Sequence, residues 1–197
     1  MFTLTGLHSY EQEIKKSRFR AQAFAVTDEG EIRSLLDAHA DAGANHNCWA
    51  WRLGQAYRFH DDGEPSGTAG KPILQAIDGQ ALDGVLVIVT RWFGGILLGS
   101  GGLMRAYGGT AAQCLRDAPK SEIILRTERS MHVGFSDLAL VKARLAAIDN
   151  LLIRSEAFTG TGAEITLAIP DGSLEVVITM VKDITAGRTI VSSEDEP

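Results

Sequence analysis

From Ser17 to Val26 the chain alternates. Phe19, Ala21, Ala23 and Ala25 fall on one side and Arg18, Arg20 and Gln22 on the other, the period of a strand. Ile32, Leu35, Leu36 and His39 then repeat at helical spacing, with a stop near Gly43. Cys48 to Leu53 and Ala56 to His60 read as a hairpin around Gly54-Gln55, a glycine-first two-residue turn. Gly70 to Ala81 predicts a short helix and Gly84 to Thr90 a buried strand of aliphatic residues. Leu103 to Leu115 predicts a second helix and Glu122 to Leu125 a closing strand.

Beyond Thr127 the pattern becomes short and regular. Met131 to Phe135 is strand-like, Ser136 can cap a helix, and Leu138, Val141, Leu145 and Ile148 share one helical face. Leu152 to Phe158 and Glu164 to Ile169 are strands joined at Gly160-Thr161-Gly162. Pro170 to Ser173 opens a helix with Leu174, Val177, Val181 and Ile184 as its stripe. Gly187 suits the helix stop, and Thr189-Ile190-Val191 predicts a last strand. The order β-α-β-β-α-β is that of a ferredoxin-like sandwich, so an α+β chain of two domains, 1–126 and 127–197, is expected. That fold hosts many functions and specifies none.

Composition narrows the classes. The 197 residues are 45% hydrophobic and 22% charged, with a formal charge of -6, an ordinary soluble globular balance. Disorder, collagen-like repeats and disulfide scaffolds are excluded. The longest aliphatic run, Val85 to Val89, is five residues, where a spanning helix needs about 20. Met1 to Gly6 has no secretory pattern, so the cytoplasm is the expected compartment, with Cys48 and Cys114 as thiols. Up to residue 126 there are 13 Lys plus Arg against 14 Asp plus Glu; beyond it, 6 against 11. Nucleic acid therefore has to be met by a local basic surface of the first part. Ser192 to Pro197 reads as a frayed, solvated tail.

Three segments exceed what a plain fold requires. Thr90 to Tyr107 places Gly94, Gly95, Gly99, Gly101 and Gly102, with Ser100, between a buried strand and a helix, flanked by Arg91 and Arg105. Free backbone N–H groups at such a helix start face an anion, so the segment is either a phosphate-binding loop or a tight crossover. Gly108-Gly109 in the following helix favours close packing. Asp61 to Pro72 fails the P-loop test, having Pro65 and Pro72 where a glycine and a hydroxyl are needed. Asp61, Asp62 and Glu64 lack EF-hand spacing and read as turn formers or an internal ion-pair network, while Ser66, Thr68 and Lys71 are potential ligand donors.

In His46 to Arg52, a thiol nucleophile would need His46 or His60 beside Cys48, and zinc would need more ligands than these; a buried structural cysteine is the simpler reading. The proposed turn sets Arg52 beside Tyr57 and Trp51 beside Arg58. Such a sheet can stack bases, or bury its aromatics while the arginines reach water.

Ser17-Arg18-Phe19, the run from His46 to Arg52, the run from Asp61 to Pro72, and Arg91-Trp92-Phe93-Gly94-Gly95 with Leu98 to Leu103 together resemble the YigZ/IMPACT family. The resemblance covers about residues 10 to 115, and Trp92 replaces a commoner tyrosine. It implies a first domain like the second domain of ribosomal protein S5 and a second like the C-terminal domains of elongation factor G. Eukaryotic relatives restrain a starvation-responsive kinase of translation initiation by competing for its activator. This chain lacks their additional N-terminal RWD domain, so what transfers is a link to translation. The resemblance supplies no catalytic residue. A non-enzymatic regulator is therefore expected, binding RNA, the ribosome or a translation protein through Arg18, Arg52, Arg91, Arg105, the glycine segment and the neighbouring Glu64, Ser66, Thr68 and Lys71. The alternatives are an enzyme or binder of a phosphorylated small molecule or nucleotide at the glycine loop, and a protein-docking surface with purely structural glycines. No cofactor or metal is expected.

Overall fold

The computed structural model describes residues 1–192. Contacts divide it into two compact units, Met1–Ile123 and Ile124 onward.

In the first unit a five-stranded sheet has the order β2-β3-β6-β4-β5, built from β2 (His8–Ile14), β3 (Ser17–Ala25), β4 (His46–Leu53), β5 (Ala56–His60) and β6 (Val85–Trp92). All its pairings are antiparallel. Alternation divides its faces. Phe19, Ala21, Ala23, Cys48, Ala50, Val85, Val87 and Val89 pack with the helices α2 (Gly70–Asp78) and α3 (Ser100–Asp117). Phe24, Trp51, Leu86 and Ile88 pack on the other face with Ile32 of α1 (Glu29–His39). Central β6 is covered on both sides, which is why Val85 to Val89 is uninterrupted by polar residues. At about 25 cal/mol per Å² of apolar surface, these two faces dominate the unit's stability.

The expected hairpin is present, Leu53 pairing with Ala56 around Gly54. Arg52 sits 5.4 Å from the Tyr57 ring centre. Trp51 is opposite Arg58 but buried in the α1-side core, so it offers no open stacking face. Two short strands were not signalled by the sequence pattern: β1 (Phe2–Leu4), which pairs with β7 (Lys120–Glu122), and β2. The closing strand is thus β7, earlier than the expected Glu122 to Leu125.

The second unit runs β8 (Arg126–Gly134), α4 (Phe135–Leu145), β9 (Leu152–Phe158), β10 (Gly162–Pro170), a 3-10 turn at Asp171–Ser173 and α5 (Leu174–Ile184). Its antiparallel sheet has the order β8-β10-β9, and both helices cover one face over Met131, Val133, Ile165, Leu167 and Ile169. Gly134, not Ser136, is the α4 N-cap. The last expected strand is a single antiparallel bridge, Ser130 to Ser192. Thr189 is tied instead to the end of α5 through the Thr185 hydroxyl and to the His132 carbonyl, which takes it out of a ladder. The acidic tail at 193–197 lies outside the described residues.

Candidate anion site at the start of the third helix

The loop after β5 satisfies its own helix. Asp61 accepts the backbone N–H groups of Gly67 at 2.8 Å, Ala69 at 3.0 Å and Gly70 at 2.8 Å, and so closes the start of α2. Burial opposes ionisation of Asp61, but these three donors outweigh it and hold its carboxyl below the usual aspartate range. Asp62 accepts from the Asn47 N–H at 2.6 Å, and the Thr68 hydroxyl donates to the Pro65 carbonyl at 2.6 Å.

Glu64 turns inward. Its Oε1 accepts from Arg91 Nη1 at 2.5 Å and from the Tyr107 hydroxyl at 2.7 Å, with His46 Nε2 at 3.8 Å. The Glu64 and Arg91 side chains are only 4% and 6% exposed, so this is a buried pair whose charges each depend on the other. Arg91 Nη2 also reaches the Ser17 hydroxyl at 3.4 Å. Burial pushes the Tyr107 phenol far up, and it stays a neutral donor to Glu64.

α3 begins differently. It starts at Ser100, three residues before the apolar repeat, so Gly101 and Gly102 form its first turn. Its N-cap is Gly99, at φ 72°, a conformation that favours glycine, and glycine brings no side-chain acceptor to cap the helix. Leu103 N–H bonds to the Gly99 carbonyl at 2.9 Å, while no described group accepts from the N–H groups of Ser100, Gly101 or Gly102. The Arg105 guanidinium folds back to the same turn, its Nη1 3.5 Å from where a Gly101 Cβ would stand. Arg105 makes no ion pair among the described residues, nor does Lys15, which lines a shallow hollow with it. Lys15 and Lys16 form the two-residue β2–β3 turn at φ 47° and 64°, a strained setting for non-glycine residues. Gly94 is required there, because a Cβ on it would collide with the Lys16 carbonyl.

Beside this turn is a cavity of about 410 Å³. Phe93, Leu97, Leu98 and Leu103 give it apolar walls, and Asn45, His46, Glu64, Arg91 and Ser100 give it polar groups. Leu98 also borders the Lys15–Arg105 hollow.

Of the residues singled out from the sequence, Glu64, Arg91, Gly99 and Ser100 line this cavity, and Gly101, Gly102 and Arg105 form its helix start. Gly94 and Gly95 shape the crossover into it. Arg18 does not converge with them. It is on the opposite sheet face from Arg91, stacked 3.8 Å from the Trp92 ring centre and paired with Glu11 at 3.5 Å. Arg52 shares the face of Arg91 but pairs opposite Val85, while Arg91 pairs with His46. That is roughly 20 Å away along the strand, and Arg52 is held by Asp78 at 2.6 Å. Ser66 and Lys71 are exposed, Lys71 without an ion pair among the described residues, and Thr68 is buried in its turn. His46 and Phe93, which belong to the singled-out segments but are not read there as site residues, line the cavity too, and Asn45 and Lys15 join the site unannounced by their local sequence.

Cys48 is not poised as a nucleophile. Its thiol donates to the Asp61 carbonyl at 2.9 Å, and burial pushes its pKa up to about 12. His46 donates Nδ1–H to the Asp62 carbonyl at 2.7 Å, and His60 stacks on Trp49 at 5.6 Å.

The Impact N-terminal domain model matches residues 15–115. An IMPACT family member encoded in the pol 5' region of Thermus thermophilus is 42% identical over 89% of this chain and 97% of its own. The IMPACT family member YigZ of Escherichia coli is 39% identical over 74% of each chain. A crystal structure of a hypothetical protein superposes with a TM-score of 0.64 at 30% identity, covering 100% of this chain and 98% of that one. No helix among the described residues is long and apolar enough to cross a membrane. The chain belongs to the IMPACT family.

Proposed function

We propose that this protein is a non-enzymatic, translation-associated regulator that binds RNA, alone or on the ribosome, by receiving its phosphates at the start of α3. The observation that carries this reading is the open helix start. Three N–H groups with no acceptor among the described residues lie beside Arg105, which pairs with no described carboxylate, next to Lys15. The translational setting comes from the family's eukaryotic members. Family resemblance also supports reading residues 1–126 as an S5 domain 2-like domain. For 127–197, the order β8-α4-β9-β10-α5 with both helices on one face supports a ferredoxin-like domain. A second reading, a binder of a phosphorylated small molecule, is favoured by the 410 Å³ cavity with its apolar walls and few polar groups.

The test is binding to a fluorescent single-stranded RNA and to ribosomes across a salt series, with wild type and Arg105→Glu. Arg91 is unsuitable for charge reversal, because a second carboxylate beside Glu64 would disrupt the core. Salt-sensitive binding that loses about one unit of salt slope in Arg105→Glu supports the reading. Equal binding by the folded variant contradicts it.

A further inference from the structure

We propose that the cavity beside α3 reads the cis-diol of a ribonucleoside 5′-phosphate unit, as found at an RNA 3′ end, with Glu64 and His46 accepting from the two ribose hydroxyls. This rests on the phosphate reading above and adds to it the chemistry of the other end of the ligand.

Glu64 supplies the argument. Its Oε1 is fully engaged by Arg91 and Tyr107, but Oε2 accepts from no described residue. Oε2 is not among the side-chain atoms buried without a partner, and Glu64, its side chain only 4% exposed, lines the cavity. A carboxylate oxygen with no donor among the described residues, on a cavity wall, can accept from a ligand hydroxyl. A bare carboxylate offers none, and inorganic phosphate carries its hydroxyl only on an anion, whereas a ribose presents two neutral hydroxyls.

His46 adds a second acceptor. In the neutral imidazole, the Nδ1–H bond to the Asp62 carbonyl leaves the lone pair on Nε2, 3.8 Å from Glu64 Oε1. Two neighbouring acceptors on one wall match two neighbouring hydroxyls. Arg91 neutralises Glu64, so the wall is acceptor-rich without being a net anion.

The remaining surfaces suit the rest of such a unit. The N–H groups of Ser100 to Gly102 and the Arg105 guanidinium take the 5′-phosphate. Phe93, 44% exposed, offers a ring face to a base. Asn45 is oriented by the Phe93 N–H, which donates to its Oδ1 at 2.8 Å, and this leaves its amide N–H₂ available at the cavity. From Leu98 the Lys15–Arg105 hollow leads onward, a basic exit for the phosphates of a continuing chain.

The probes are one single-stranded RNA 12-mer carrying a free 3′ diol, a 3′-phosphate or a 2′,3′-dideoxy end, together with free AMP and its 2′,3′-dideoxy counterpart. All are titrated by fluorescence anisotropy or calorimetry against the full chain. The expected result is at least tenfold weaker binding of both blocked ends than of the diol end. In Glu64→Gln and separately in His46→Phe, each checked by thermal melting, the ratio should fall below about threefold. The wild-type series decides the matter even where a variant does not fold. Diol-dependent binding of AMP without RNA binding supports the same site chemistry and assigns it to a free nucleotide. Equal affinity for all three RNA ends overturns the inference while leaving the phosphate reading standing, provided Arg105→Glu still weakens them. Binding of none of the probes overturns both.

Discussion

Helices α2 and α3 pack against each other, and each follows a glycine-containing segment, yet they begin in opposite ways. The start of α2 receives an anion from its own chain: Asp61 collects three N–H groups and stays ionised. The start of α3 has a glycine cap, no side-chain acceptor and a guanidinium folded beside it. Glycine before a helix therefore distinguishes nothing; what matters is whether the fold delivers a carboxylate to the exposed N–H groups. The loop that closes α2 also sends Glu64 towards α3, where Arg91 rather than the helix start takes its charge.

The largest expected effect comes from breaking that link. Glu64→Ala leaves Arg91 buried and unpaired, which should cost about 3–5 kcal/mol of unfolding free energy by urea titration. An unchanged midpoint would mean that the pair is not what closes the base of the cavity.

Next is the α2 cap itself. Asp61→Ala strands three N–H groups and should cost about 1–3 kcal/mol, with Asp61→Asn losing less because its amide oxygen still accepts. The same contrast sharpens with pH. The folded-state pKa of Asp61 lies below its unfolded value, so the unfolded chain takes up the proton first as pH falls. The stabilisation is complete above the ordinary aspartate range and disappears as pH drops through the folded value. The stability gap between wild type and Asp61→Asn should therefore narrow below the ordinary aspartate range. A gap that is constant with pH would show that the charge of Asp61 contributes nothing.

The smallest effect makes the two helices alike. Ser100→Asp gives α3 an anion of its own and should raise stability by about 0.3–1 kcal/mol, while weakening RNA binding. A gain in stability with unchanged RNA affinity would separate the helix start from the ligand.

Much of this architecture was legible in the chain. The alternation around Phe19, the aliphatic run of β6, the Gly54 hairpin and the helical stripes of the second unit all have a strong period and lie against a core. β2 was not legible, because His8–Ile14 is half-exposed and charged and is held by pairing with β3 rather than by its own hydrophobic pattern. The start of α3 was placed late because glycine is a poor helix former; here the Gly99 cap and the packing of the crossover outweigh that preference. The glycine segment and Arg105 could be read as an anion site from local sequence. The role of Glu64 could not: its partner Arg91 is 27 residues away and reaches it through strand register. Register also sets Arg18 and Arg91 on opposite faces, which a list of basic residues does not reveal.

The most direct measurement is a two-dimensional ¹H–¹⁵N NMR titration of the full chain with a single-stranded RNA oligonucleotide, following the amides of both helix starts. The account predicts saturable shifts at Ser100, Gly101 and Gly102, with Gly67, Ala69 and Gly70 unmoved. Shifts confined to residues away from α3, or equal movement at both helix starts, would contradict it.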